Sequence, residues 1–181
     1  MKIQKLDIEK LTTERLLLKP FTIQICSNLL NNDYSDLEFL NLKKGKSWPD
    51  NDVIETLPKI INNLAKVDSP TGYESWMIIK KDSLEVIGDV GFKGFNIEHE
   101  NIDLGYGIIV EERQKGYAFE AVDKIIKWAF SNDTIKEMTA NCLAENIKSI
   151  NLLEKFNFIQ IRMENEMIYW KLINKNYKKS N

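Results

Sequence analysis

The stretch Ile108-Ile109-Val110-Glu111-Glu112-Arg113-Gln114-Lys115-Gly116-Tyr117-Ala118 constrains the fold more tightly than any other part of the chain. Ahead of it, Asp103–Val110 alternates with period two. Leu104, Tyr106, Ile108 and Val110 share one face, and Asp103, Gly105, Gly107 and Ile109 the other, as in a strand. Behind it, Ala118, Ala121, Val122, Ile125, Ile126 and Ala129 form an apolar stripe at helical spacing, with Glu120–Lys124 and Asp123–Lys127 as i,i+4 pairs on the wet side. A strand must therefore hand over to a long helix across a short basic turn. The first turn of such a helix presents unpaired N–H groups and the positive end of its dipole, which suits an anion. Gly116 and Ala118 let a phosphate approach the backbone, and Arg113 and Lys115 add charge. Taken alone, a glycine at a helix start beside surface lysines and arginines explains the pattern equally well.

The remaining chain reads as a mixed α+β domain in two or three layers, expected as one unit over residues 1–181. Leu11–Phe21 reads as a strand stopped by Pro20, followed by a helix around Ile23–Asn31. Val53, Ile54, Leu57, Ile60, Ile61 and Leu64 predict a second helix, capped by Asp50 or Asp52 and kinked or split at Pro58. Tyr73–Lys80 and Val86–Phe92 predict strands about a polar loop. Glu137–Leu143 predicts another, Asn146–Phe156 a helix, and Phe158–Met163 with Met167–Ile173 a closing hairpin.

Charge and composition remove other classes. The 25 Lys+Arg against 27 Asp+Glu leave a net charge of −2, unsuited to binding nucleic acid by counterion release. No apolar run approaches the ~20 residues of a membrane span. Met1–Asp7 shows no apolar signal block, so a cytoplasmic location is expected. Cys26 and Cys142 read as structural thiols, and the sole histidine, His99, sits in a polar turn, so no multi-histidine metal site is expected. The chain has no GxxxxGK(S/T) and no GxGxxG after a strand, so a phosphate-bearing ligand needs another frame.

That frame is supplied by a resemblance. Arg113-Gln114-Lys115-Gly116-Tyr117-Ala118 is similar to the Gln/Arg-x-x-Gly-x-Gly/Ala signature of the GNAT superfamily of N-acetyltransferases. Leu11–Leu18, Asp103-Leu104-Gly105-Tyr106, Gly116–Ala121 and Asn146–Phe158 resemble, in order, the motifs of its ribosomal-protein N-acetyltransferase-like branch, over about residues 10–173. The resemblance implies a mostly antiparallel mixed sheet with helices on both faces, splayed between the fourth and fifth predicted strands.

It further implies acetyl-CoA as co-substrate, with no metal. The pantetheine arm would bond the backbone at Ile108 and Val110, with Gly107 permitting local distortion. The diphosphate would take amides from Gln114, Lys115, Gly116, Tyr117 and Ala118. Asn146 and Ser149 would lie toward the sulfur, with helix capping as the competing role. Asp103 stands where relatives often carry a glutamate base, or else orients a cationic substrate. An oxyanion would be met by an N–H near Ile108. Leu153 replaces a common tyrosine acid, which leaves Ser149 as the alternative.

The expected acceptor is a protein or peptide N-terminal amine. A polyamine or aminoglycoside is the alternative, and a CoA-binding sensor without turnover or a nucleotide-binding regulator are further ones. The acceptor pocket is expected from the helices at 23–66 and the loops before Tyr73 and after Asn165. Trp48, Trp76, Tyr34 and Phe95 are candidates either to line it or to pack the core. A monomer or homodimer is expected.

Overall fold

The computed structural model describes residues 8–178. Met1–Asp7, on which the reading of the chain's opening rests, lie outside the described residues. The strands are β1 (Leu11–Thr12), β2 (Leu16–Pro20), β3 (Lys43–Lys44), β4 (Ser75–Lys80), β5 (Glu85–Asn96), β6 (Asn101–Ile108), β7 (Glu137–Leu143), β8 (Ile159–Glu164) and β9 (Met167–Ile173). The helices are α1 (Ile23–Leu30), α2 (Ser35–Phe39), α3 (Asn51–Leu64), α4 (Tyr117–Phe130) and α5 (Ile147–Lys155). The sheet order is β1-β2-β4-β5-β6-β7-β9-β8, with β3 beside β5. The pairings are antiparallel apart from β6–β7 and β3–β5. The predicted α+β architecture with helices on both faces is what the chain adopts.

Three local expectations are corrected. The opening strand is broken at Thr13–Arg15, because Thr13 folds the chain back on itself. Its hydroxyl accepts the Leu16 N–H at 2.8 Å and its own N–H donates to the Leu16 carbonyl at 3.0 Å. Pro58 neither kinks α3 apart nor ends it. Its ring removes one ladder hydrogen bond, but buried Val53, Leu57, Ile60 and Leu64 clamp both halves of the helix against α1 and β5. The alternation of β6 stops at Ile108. Val110 opens a single 3₁₀ turn and is exposed, while Ile109 is buried.

Two helical layers sandwich the sheet. On one face Trp128 of α4 meets Trp76 of β4 edge-on at 5.5 Å and Tyr73 at 5.3 Å. On the other face α3 lies over β5, with α1 packed against it. Trp48 and Trp76 are fully buried, so both pack the core. Phe95 leans on Tyr73 at 5.8 Å, and Tyr34 lies under Lys44.

Pro58 is exposed and lacks a ladder donor, so Pro58→Ala should stabilise the protein by about 1–3 kcal/mol in urea unfolding. Equal or lower stability of the variant would show that the ring makes contacts worth as much as the missing bond.

Candidate active site

Strands β6 and β7 run side by side only from Asn101–Glu137 to Leu104–Ala140. Beyond that pair each strand keeps its outer neighbour and loses the inner one. Gly105–Ile108 stays on β5, and the Ile109 N–H continues that ladder to Ile87 O at 2.9 Å. Asn141–Leu143 stays on β9. The sheet therefore opens into a fork with unpaired strand edge on its inner sides, which an added extended segment can join.

The turn from β6 into α4 closes one end of the fork. Gly116 is left-handed with φ 83°, and Gln114 is also left-handed with φ 63°. This is why a glycine is useful at 116, and why glutamine at 114 holds a conformation costly for a side chain. The amides of Gln114, Lys115 and Gly116 find no acceptor among the described residues.

The loop is held from behind. Glu120, in the first turn of α4, accepts from the Thr13 hydroxyl, from Arg15 N at 2.7 Å and from Arg15 Nε at 2.7 Å. Arg15 also donates to Lys115 O at 2.9 Å and lies over the Tyr117 ring at 4.5 Å. Burial opposes ionisation of Glu120, yet the Thr13 and Arg15 hydrogen bonds outweigh it and keep its carboxyl below the usual glutamate range. Glu111 accepts from Ser47 at 2.7 Å, and Glu112 pairs with Lys80 at 3.2 Å and Lys115 at 3.0 Å. Arg113 turns inward and donates from Nε to Ile108 O at 2.8 Å. The expected cationic residues thus both reach the turn, but as its braces.

On the α4 side, a shallow depression runs from Gly116 past Phe119, Lys124, Lys127 and Lys155. Lys124 and Lys155 have no ion pair among the described residues. Tyr106 points its hydroxyl into the fork, where it is buried and faces Ser149 without a properly formed hydrogen bond. Burial, the larger effect, raises the Tyr106 pKa, and the Ser149 contact only partly offsets it. Asn146 caps α5 by accepting the Ser149 N–H at 3.1 Å, so its side-chain oxygen is committed to the helix. Leu153 is buried in the core.

On the α3 side lies a cavity of about 560 Å³. Asp50, Asp52, Thr56 and Lys59 line it from the helix, and Asp89, Gly105 and Gly107 from the sheet. Asp89, which the sequence reading did not single out, sits on β5 opposite Gly107. Protein surrounds it except toward the cavity, and no hydrogen bond or ion pair engages it among the described residues. Burial pushes its carboxyl up to about 7, with the charges of Asp50 and Asp52 adding to the shift. Asp103 lies on the same sheet face, before the fork opens, and does not line the cavity. It is paired with Lys93 and accepts from Thr139 Oγ1 at 3.0 Å. The signal for Asp89 was an acidic residue inside the otherwise apolar predicted strand Val86–Phe92, which belongs to no motif.

A forked sheet with unengaged amides ahead of the helix at its opening is a distinctive fold signature, and known proteins share it. The family model for the acetyltransferase (GNAT) domain matches residues 15–159, and the chain belongs to that family of N-acetyltransferases. The chain is 33% identical over 165 residues to the N-acetyltransferase YjdG of Bacillus subtilis (strain 168), covering 91% of this chain and 98% of that protein. The structure of the ribosomal-protein-S5-alanine acetyltransferase from Vibrio fischeri superposes with a TM-score of 0.64 at 17% identity, over 94% of this chain and 99% of that one. The microcin C7 self-immunity acetyltransferase MccE, in complex with acetyl-CoA and AMP, superposes with a TM-score of 0.59 at 14% identity, over 89% and 93%. Among the described residues no helix is long and apolar enough to cross a membrane.

Asp89 yields a stability prediction. Its folded pKa of about 7 lies above the ~3.9 of an unfolded aspartate. The native state therefore holds a proton that the unfolded chain has released, and stability falls as pH rises from about 4 to about 7. Asp89→Asn should be more stable than the parent at pH 8 by roughly 2–4 kcal/mol, and indistinguishable near pH 4. Urea unfolding at both pH values measures this, and no gain at pH 8 would contradict the buried, unpaired carboxylate.

Proposed function

We propose that this enzyme carries acetyl from acetyl-CoA to a primary amine by direct attack, and that the amine is the N-terminus of a protein or peptide. The observation that carries this reading is the fork: unpaired β6 edge past Leu104, leading to the free amides of Gln114–Gly116. These features fit the carrier. An extended amide-bearing arm can pair with open strand edge as an added strand, and a diphosphate can sit on the positive end of a helix. Half-buried Lys124 and exposed Lys155 lie on the same side for the nucleotide phosphate. Bound there, acetyl-CoA would supply an activated thioester at the fork.

The chain's own residues then divide the work. Amides from Gln114 to Ala118 fix the diphosphate, and the backbone around Ile108 and Val110 fixes the arm. Ser149, on the helix side and facing Tyr106, would be the proton donor for the departing sulfur. Asp103, already paired with Lys93, is the carboxylate that steers an incoming ammonium group. An N-terminal α-amine, with a reference pKa of about 7.7–8.0 against about 10.4 for lysine, needs little help to become the neutral nucleophile. The free, buried Cys26 and Cys142 suit a reducing compartment, in agreement with a cytoplasmic enzyme.

Thiol release from acetyl-CoA should exceed hydrolysis when peptides with free N-termini are supplied, and should vanish when those termini are blocked. Release with polyamines or aminoglycosides alone would reassign the acceptor. Release with no amine, beside clear CoA binding, would make the protein a sensor. Gly116→Trp should lower acetyl-CoA affinity by about 100-fold or more in calorimetry, since bulk at the cradle excludes the diphosphate. Placing a side chain at φ 83° costs about 1–2 kcal/mol, so the variant should still fold. Unchanged affinity would refute the assigned site.

A further inference from the structure

Glycines of β5 and β6 fall into two kinds. At Gly88 an added Cβ would lie 2.1 Å from Gly107 O, and at Gly91 it would lie 2.3 Å from Glu74 O. Close backbone approach demands those glycines. Gly105 and Gly107 differ. A Cβ at Gly105 meets nothing within 4 Å, and one at Gly107 meets only Asp89 Oδ1 at 3.6 Å. Neither has a left-handed backbone. Their missing side chains leave a bare floor to the cavity under α3, reaching from the open edge of β6 to the Asp89 carboxylate.

The groups facing that floor set its charge. From α3 come Asp50, Asp52 and Lys59, with one Asp50 oxygen taken by the Val53 N–H at 3.0 Å. From β5 comes Lys93, occupied by Asp103, and from the turn after β6 comes Arg113, whose Nε is spent on Ile108 O. The carboxylates concentrate at one end, and Asp89 among them has no partner of its own. Such a pocket attracts an ammonium group and disfavours a carboxylate at the same spot.

We propose that this cavity receives the acceptor amine and that Asp89 is the catalytic residue that takes its proton. The inference rests on the acetyl-transfer reading above and deepens it by naming the acceptor pocket and the base. Asp89 stands opposite Gly107, inside the stretch where β6 has left β7, whereas Asp103 precedes the fork and is already bonded. The step balances as follows. The ammonium gives one proton to the Asp89 carboxylate, which later passes it to solvent. The neutral nitrogen forms its bond to the acetyl carbonyl carbon as the carbon–sulfur bond breaks. The second proton leaves that nitrogen and reaches the sulfur by relay through the Ser149 hydroxyl, so the products are an amide, a thiol and one released proton. A carboxyl that titrates near neutrality is matched to such work at cellular pH.

The test uses Asp89→Asn, Asp103→Asn and Gly105→Val in the full chain. The first readout is independent of turnover. Titration with n-butylammonium at pH 8, against matched sodium chloride, should shift the backbone amide resonances of Asp89, Gly105 and Gly107 in the wild type, and leave them unmoved in Asp89→Asn and Gly105→Val. Shifts that persist in Asp89→Asn, or that arise elsewhere in the wild type, would overturn the pocket. The second readout is kcat/KM for the peptide acceptor found by thiol release. Asp89→Asn should lose about 10²–10⁴-fold and the acid limb near pH 7, with acetyl-CoA affinity unchanged. Asp103→Asn should keep that limb. Equal pH profiles for wild type and Asp89→Asn would remove Asp89 as the base while leaving acetyl transfer standing. Failure of the wild type to acetylate any amine would count against the transfer reading, and the butylammonium titration would still decide the pocket.

Discussion

Between β6 and β7 the hydrogen-bond ladder begins at Asn101–Glu137 and ends at Leu104–Ala140, although both strands keep their outer neighbours beyond that point. The Ile109 amide is bonded to Ile87, and Asn141 onward is bonded to β9. A parallel pair joined through a crossover helix would normally zip to the end of its strands. Here it stops with backbone edge to spare, and the crossover helix α4 starts beside the opening. Everything proposed about the site follows from that early stop. The arm of a carrier has an edge to join, the helix start has amides to offer, and the acceptor can approach from the opposite face across a floor of glycines.

The opening depends on a loop that resists collapse. Gln114 and Gly116 are both left-handed, and such backbone persists only where its surroundings fix it. Glu120 provides the anchor, joining the Thr13–Arg15 turn to the base of α4, while Arg15 reaches on to the Lys115 carbonyl. Glu111 and Glu112 tie the preceding 3₁₀ turn to Ser47 and Lys80. These ion pairs are partly exposed and individually weak, so their value lies in geometry more than in stability. Acidification through the depressed pKa of Glu120 removes its charge and with it this anchor.

Much of this was legible in the residues. The alternation of Asp103–Ile108 and the stripe of Ala118–Ala129 placed β6 and α4, and the break between them at Gly116 is where the anion site is proposed. Asn157, which ends the turn after α5, is left-handed with φ 62°, a conformation asparagine tolerates better than most residues. What stayed hidden depends on contacts distant in sequence. Pro58 was read by its local rule, but burial of Leu57 and Ile60 against α1 and β5 overrides that rule. The division of Leu11–Phe21 follows from a hydroxyl at Thr13 that reaches Glu120, 107 positions away. Asp89 carries no motif, and its meaning arises only when Gly105 and Gly107 are laid beside it on the next strand. Asp103 shows the converse: a residue marked by its motif whose carboxylate is already occupied by Lys93 and Thr139.

A crystal of the protein grown with CoA tests the central claim most directly. Difference density should trace an extended arm alongside Gly105–Ile108 and place the diphosphate within hydrogen-bonding distance of the amides from Gln114 to Ala118. Density for the ligand in any other groove, with β6 and β7 zipped together beyond Leu104 and Ala140, would contradict the account.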